Sequence, residues 1–203
     1  MGILSKFREK KKDADKNSLQ TSSKDYVYHC NLGVDYADEG RIDEAITEYK
    51  KAMELNPNGV EAHYNLANAY VKKGWIDLAI AEYKKTLELN PRLAEAYDNL
   101  GVAYEKKGRM DEAMRYFKRT IEINPNDKEA HYNLGAAYGK KGLLDQAIAE
   151  LKVAIQIDPN YSKAHSDLGV AYNVKGWVDQ AITEHKEAIK LDPNSATAHF
   201  NFG

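Results

Sequence analysis

The sequence predicts an all-α protein built from stacked pairs of antiparallel helices, and three observations predict it. First, one pattern returns every 34 residues through most of the 203-residue chain. Second, the pattern is punctuated: a glycine recurs at Gly40, Gly74, Gly108, Gly142 and Gly176. The chain's five prolines stand in the same phase at Pro57, Pro91, Pro125, Pro159 and Pro193. Third, the residues between these marks follow helical spacing. Leu32, Leu66, Leu100, Leu134 and Leu168 repeat, as do Tyr36, Tyr70, Tyr104, Tyr138 and Tyr172, and Ala45, Ala79, Ala113, Ala147 and Ala181. Apolar residues at i, i+3, i+4 and i+7 make one buried stripe.

In chain order, residues 1–24 fall outside the period and form a basic, flexible segment. They carry seven Lys or Arg against three acids, a net +4, which leaves −6 on residues 25–203. Ile3, Leu4 and Phe7 among Lys6, Arg8, Lys10, Lys11 and Lys12 offer a weak attachment to an anionic membrane surface or an acidic partner. The third copy shows the unit most clearly. Helix A is expected over about Ala94 to Lys107, with Ala96, Tyr97, Leu100, Gly101 and Tyr104 on its buried face. Gly108 supplies the left-handed residue that ends it. Asp111 is expected to cap helix B, which turns Ala113, Met114, Phe117, Ile121 and Ile123 to the core. Pro125 stops helix B, because the residue before a proline avoids the helical region. Small residues at Gly101 and Ala113 let the facing helices approach. The aromatic of helix B (Tyr49, Tyr83, Phe117) becomes Leu151 and then His185, a polar group near the core. A lone pair of this size has too little core to fold, so the copies must stack.

This period, its small and large apolar positions and its closing proline resemble the tetratricopeptide repeat. The resemblance covers residues 26–203: full copies from Tyr26, Val60, Ala94, Lys128 and Ser162, then a partial sixth from Ala196. It implies a right-handed superhelical solenoid whose first helices line a concave face. The position before each patterned leucine then meets a ligand: Asn31, Asn65, Asn99, Asn133 and Asn201, with Asp167 in the fifth copy. A carboxamide both donates and accepts, so the row suits an extended peptide. Tyr64, Tyr132 and Asn68 would flank it, with Lys72, Lys106 and Lys140 at its margin. The family's clamp for chaperone tails needs Lys and Arg where this chain has Tyr, Asp, Ser and Asn, and is not expected.

Trp75 and Trp177 share one turn position, where an indole is expected to pack over its own helix pair or else, with Phe200, to be a candidate for partner contact. His29, His63, His131, His165 and His199 stand one repeat apart, with Tyr97 in the third copy, and are read as packing residues rather than metal ligands. No phosphate-binding loop, HExxH or paired-cysteine motif is present. The sequence therefore predicts no enzyme, no catalytic residue, no metal and no cofactor. A net charge of −2 and an acidic array argue against nucleic acid. The single cysteine, Cys30, suits a reducing cytoplasm, and no apolar run reaches membrane-span length. The expected role is a scaffold binding a protein or peptide, with homo-oligomerisation open. Two other readings stay open: an assembly scaffold held at a membrane or organelle through residues 1–24, as in the magnetosome-associated proteins of this type, and the recognition arm of a larger enzyme.

Overall fold

A computed structural model describes residues 23–194, and those residues are helices joined by short turns, without a strand among them. They divide into two compact units that part between Pro91 and Arg92. The first holds α1 (23–38), α2 (Ile42–Leu55), α3 (Val60–Lys72) and α4 (Ile76–Leu89). The second holds α5 (Ala94–Lys106), α6 (Met110–Ile123), α7 (Lys128–Lys140), α8 (Leu144–Ile157), α9 (Ser162–Val174) and α10 (Val178–Leu191).

The turn inside each pair follows from one glycine. Gly40, Gly74, Gly108, Gly142 and Gly176 all have φ between 72° and 77°, and no other residue type has positive φ among those described. The residue after the glycine donates back to the helix A tyrosine, as Trp75 N does to Tyr70 O at 2.9 Å. That bond closes a helix end whose last carbonyls would otherwise lack donors. At the other end of the pair, Asn56, Asn90, Asn124, Asp158 and Asp192 are extended before their prolines, with ψ between 85° and 98°. The helix must end there because a proline disfavours helical geometry in its predecessor.

The patterned residues form the core. Leu66, Leu100, Leu134 and Leu168 are buried, with Tyr70, Tyr104, Tyr138 and Tyr172. Ala45, Ala79, Ala113, Ala147 and Ala181 are sealed against the neighbouring helix. The small helix A position is required by the ring facing it. A Cβ on Gly101 would stand 2.5 Å from Cε1 of Phe117. In the second repeat the same position is Ala67, and the facing Tyr83 sends its hydroxyl to Asn68 Oδ1 at 2.5 Å.

One expectation is corrected. Asp111 does not cap helix B. The N-cap of α6 is Arg109, without a side-chain bond to the amides, and Asp111 lies inside the first turn. Its carboxylate instead takes Lys141 of the next repeat, as Asp43 takes Lys73 and Asp145 takes Lys175. An acid in the first turn still favours the helix dipole, so its recurrence has a double cause. The side-chain cap belongs to Asp127, which accepts from Glu129 N and Ala130 N at the start of α7.

Candidate functional site

Helix A carries the expected recognition positions once per repeat, and the two units present them separately. In the first unit Asn31 on α1 is exposed and Asn65 on α3 half-buried, beside the buried Leu66. Tyr64 is half-buried, its ring 6.1 Å from that of Tyr83. Asn68 is already bound by the Tyr83 hydroxyl. Lys72 reaches back to Ala37 O on α1 at 3.4 Å.

In the second unit α5, α7 and α9 bring Asn99, Asn133 and Asp167 into phase, each half-buried. The amide row is not uniform there. Asn133 Nδ2 donates to both carboxylate oxygens of Asp98 at 3.1 and 3.2 Å. Burial raises the Asp98 pKa to about 6; the Asn133 bond opposes the rise, and the charges of Asp127, Glu129 and Glu105 add to it. Tyr132 donates to Asp167, whose pKa burial also raises, against the effects of Tyr132 and Lys140. The margin lysine Lys140 is paired with Glu105, so its charge is offset on the protein itself. Lys106 is exposed at the end of α5. The resulting face is amide-bearing, lined by tyrosines and locally acidic.

Trp75 and Trp177 each lie over the tyrosine of their own helix A, with ring centroids 5.7 Å from Tyr70 and 5.6 Å from Tyr172. In the first and third repeats Arg41 and Arg109 cover the same tyrosine, at 4.2 and 4.8 Å from its ring. The turn residue is thus a lid on helix A. Even so, the two indoles remain 45% and 42% exposed, enough to meet a partner. Phe200 and Asn201 lie outside the described residues, as does the leader up to residue 22.

The histidines do more than fill space. His29, His63, His131 and His165 each place Nδ1 2.6–2.7 Å from a carboxylate nineteen residues on: Glu48, Glu82, Glu150 and Glu184. The other nitrogen of His63, His131 and His165 lies 3.0–3.2 Å from the carbonyl of Pro57, Pro125 and Pro159. These glutamates escape a reading by helical stripe because their partner is on the other helix. The step of 34, shared by both residues, was the available signal. Among the described residues no group of three His, Cys, Asp or Glu converges as a metal site, and no helix is long and apolar enough to cross a membrane.

Models of two tetratricopeptide repeat families match the chain, one over residues 33–74, 67–108 and 171–203 and the other over 104–168. Among solved structures, the chain is 31% identical to MamA, with a TM-score of 0.75 over 86% of this chain and 95% of that one. It is 25% identical to YrrB, a repeat protein with an unusual peptide-binding site, with a TM-score of 0.73 over 91% and 95%. PilF of Pseudomonas aeruginosa shares the fold, at 19% identity and a TM-score of 0.80 over 89% and 82%. No curated protein matches. The repeats and these neighbours support a helical-repeat scaffold for protein interaction. The chain belongs to the tetratricopeptide repeat family.

Proposed function

We propose that the helix A face of each unit binds an extended segment of a partner protein, with Asn65 in the first unit and Asn99 and Asn133 in the second meeting its backbone. The observation that supports this most is periodic. At each of these positions the asparagine is only half-buried, while the leucine beside it is buried. Core packing therefore does not account for the amide. Tyr64 and Tyr132 would contact side chains of the segment, since aromatic residues supply contact area at small entropic cost. Asn68 and Lys140 are committed to Tyr83 and Glu105 and would contribute by shaping the surface. Lys72 and Lys106 would lie at its margin.

Affinity capture from native lysate tests the reading, comparing the parent chain with the variant carrying Asn65→Ala, Asn99→Ala and Asn133→Ala. Loss of the retained proteins, with helicity unchanged, supports it. Because Asn133→Ala also strips a donor from Asp98, a second variant replaces Asp98 by Asn at the same time. Capture equal to that of the parent in both variants rejects the reading and moves recognition to the tryptophan-bearing turns.

A further inference from the structure

The fourth repeat carries a cleft whose origin is legible residue by residue. Where the first three repeats place an aromatic on helix B, α8 places Leu151. On the α7 wall of the same cleft stand Ala136 and Gly139, where the third repeat has Val102 and Glu105. Volume is thus missing from both sides at once, and a cleft of about 530 Å³ opens between α7, α8 and α9. Its size falls within the roughly 300–1,000 Å³ of sites that take small ligands. The lining is apolar: Ala136, Gly139, Leu144, Leu151, Val170 and Val174. Val170 and Val174 are exposed, 38% and 66%, apolar side chains left in water at the mouth. Asp167 and Lys140 also border it.

The charges around the cleft select its occupant. Lys140 is neutralised by Glu105, and Lys128 by Asp158. Asp167, which borders the cleft, takes its side-chain hydrogen bond from the neutral donor Tyr132, and the Lys140 charge that acts on it is shared with Glu105. Outside the cleft, on α5, Asp98 is held by the neutral donor Asn133. Two desolvated carboxylates held by neutral donors are costly; a cation arriving with the ligand offsets that cost. A segment bearing acids would be repelled by the same pair.

We propose that the fourth-repeat cleft anchors one bulky apolar side chain of an extended partner segment, with an adjacent lysine or arginine drawn to Asp167 and Asp98. This rests on the helix A faces being the recognition surface, and adds which kind of segment they select. A hydrophobic anchor beside a charge that fixes its register is a common division of labour in peptide recognition.

The test is selection of short random peptides displayed on phage against the full chain, followed by affinity measurement on the enriched peptides. Enrichment of a bulky apolar residue with Lys or Arg within two positions is the expected result. Gly139→Leu should then fill the cleft from a site where a Cβ meets nothing nearer than Ala147 Cβ at 4.0 Å. It should weaken the selected peptides by at least about tenfold without loss of helicity. Asp98→Asn with Asp167→Asn should remove the preference for a cation while leaving the apolar preference. Absence of enrichment, enrichment of acidic peptides, or peptides indifferent to Gly139→Leu would each overturn the proposal. Self-association of the parent chain that Gly139→Leu abolishes, without peptide enrichment, would assign the cleft to a second copy and overturn it too. Peptides that lose affinity with the three asparagine replacements but not with Gly139→Leu would leave the groove reading standing and remove the cleft from it.

Discussion

In the third repeat Tyr97 stacks on Tyr116, ring centroids 6.3 Å apart, at the two positions where the other described repeats carry a histidine and a glutamate. Both positions change together, so the pair is one device with two chemical forms. The buried His165 ring lies between the Glu184 carboxylate and the Pro159 carbonyl, at 2.6 and 3.1 Å, and both of these only accept. At His165 the Glu184 carboxylate is the chief cause of a raised pKa, opposed by burial and aided by the Pro159 carbonyl and the charge of Glu187.

Replacing Glu184 by Gln should therefore destabilise the chain by about 1–3 kcal/mol, since a buried charged group loses its counterion. The pH dependence has a definite sign. A histidine whose folded pKa exceeds its unfolded value stabilises fully below about 6.5 and loses that contribution as pH rises through the folded value. Thermal melts in steps from about pH 5.5 to 8.5 should show this fall in the parent and a shallower one in Glu184→Gln. Converting both positions, His165→Tyr with Glu184→Tyr, should recover stability that either single change loses. Additive losses in that double-mutant cycle would contradict the idea of one device.

How much of this was legible follows from where each signal sits. Gly108 and Pro125 act on the backbone beside them, so their positions in the sequence were enough to place the turns. Leu100 and Ala113 share a helical stripe with their neighbours, so burial was legible as well. His63 and Glu82 lie on different helices, and neither helix's own periodicity links them. Asp111 misled because a first-turn acid and a cap look alike two residues apart; only backbone geometry assigns the cap to Arg109. The cleft was hidden for another reason. It comes from atoms that Leu151, Ala136 and Gly139 lack on facing helices, and missing volume becomes visible only once those helices are placed.

Two helix A glycines separate these causes. Gly101→Ala puts a methyl group 2.5 Å from the Phe117 ring, and overpacking of this kind costs about 1–3 kcal/mol. Gly139→Ala meets only Ala147 Cβ, at 4.0 Å, and should gain the about 0.5–1 kcal/mol that alanine holds over glycine in a helix. Urea unfolding of the two variants should move the midpoint in opposite directions. A shared direction would mean that helix propensity, rather than the facing side chain, governs both sites.

Asp98 gives a prediction of unusual sign for a carboxylate. Its folded pKa, about 6, lies above the ordinary aspartate value, so its ionisation works against folding. The stabilising form is the protonated one, present below about pH 4 and lost as pH rises toward 6. Asp98→Asn keeps a hydrogen-bonding partner for Asn133 and carries no charge near Asp127, Glu129 and Glu105. It should raise stability at pH 7 by about 1–3 kcal/mol and leave stability near pH 4 almost unchanged. Melting curves of parent and variant at both pH values decide this; equal curves at pH 7 would show that water relieves the charge.

His185 stands where Phe117 stands two repeats earlier, and it faces its glycine in the same way: a Cβ on Gly169 would lie 2.5 Å from the ring. The site is therefore shaped for an aromatic ring. An imidazole there is 2% exposed, and its Nδ1 has no hydrogen-bond partner. Nε2 has only Asn173 Nδ2, at 3.4 Å. Burial lowers its pKa, which the charge of Glu184 only partly counters. This is the reverse of His165: stability from the neutral ring is lost as pH falls through about 6.5, where the unfolded chain takes up the proton. His185→Phe removes one unsatisfied polar atom without altering the shape of the site. It should stabilise the chain by about 1–3 kcal/mol at pH 7, with a larger gain near pH 5.5. Melts at the two pH values would measure both. A loss at pH 7 would mean that the Asn173 contact outweighs the stranded nitrogen, and a gain independent of pH would mean that the ring binds its proton equally in the folded and unfolded chain.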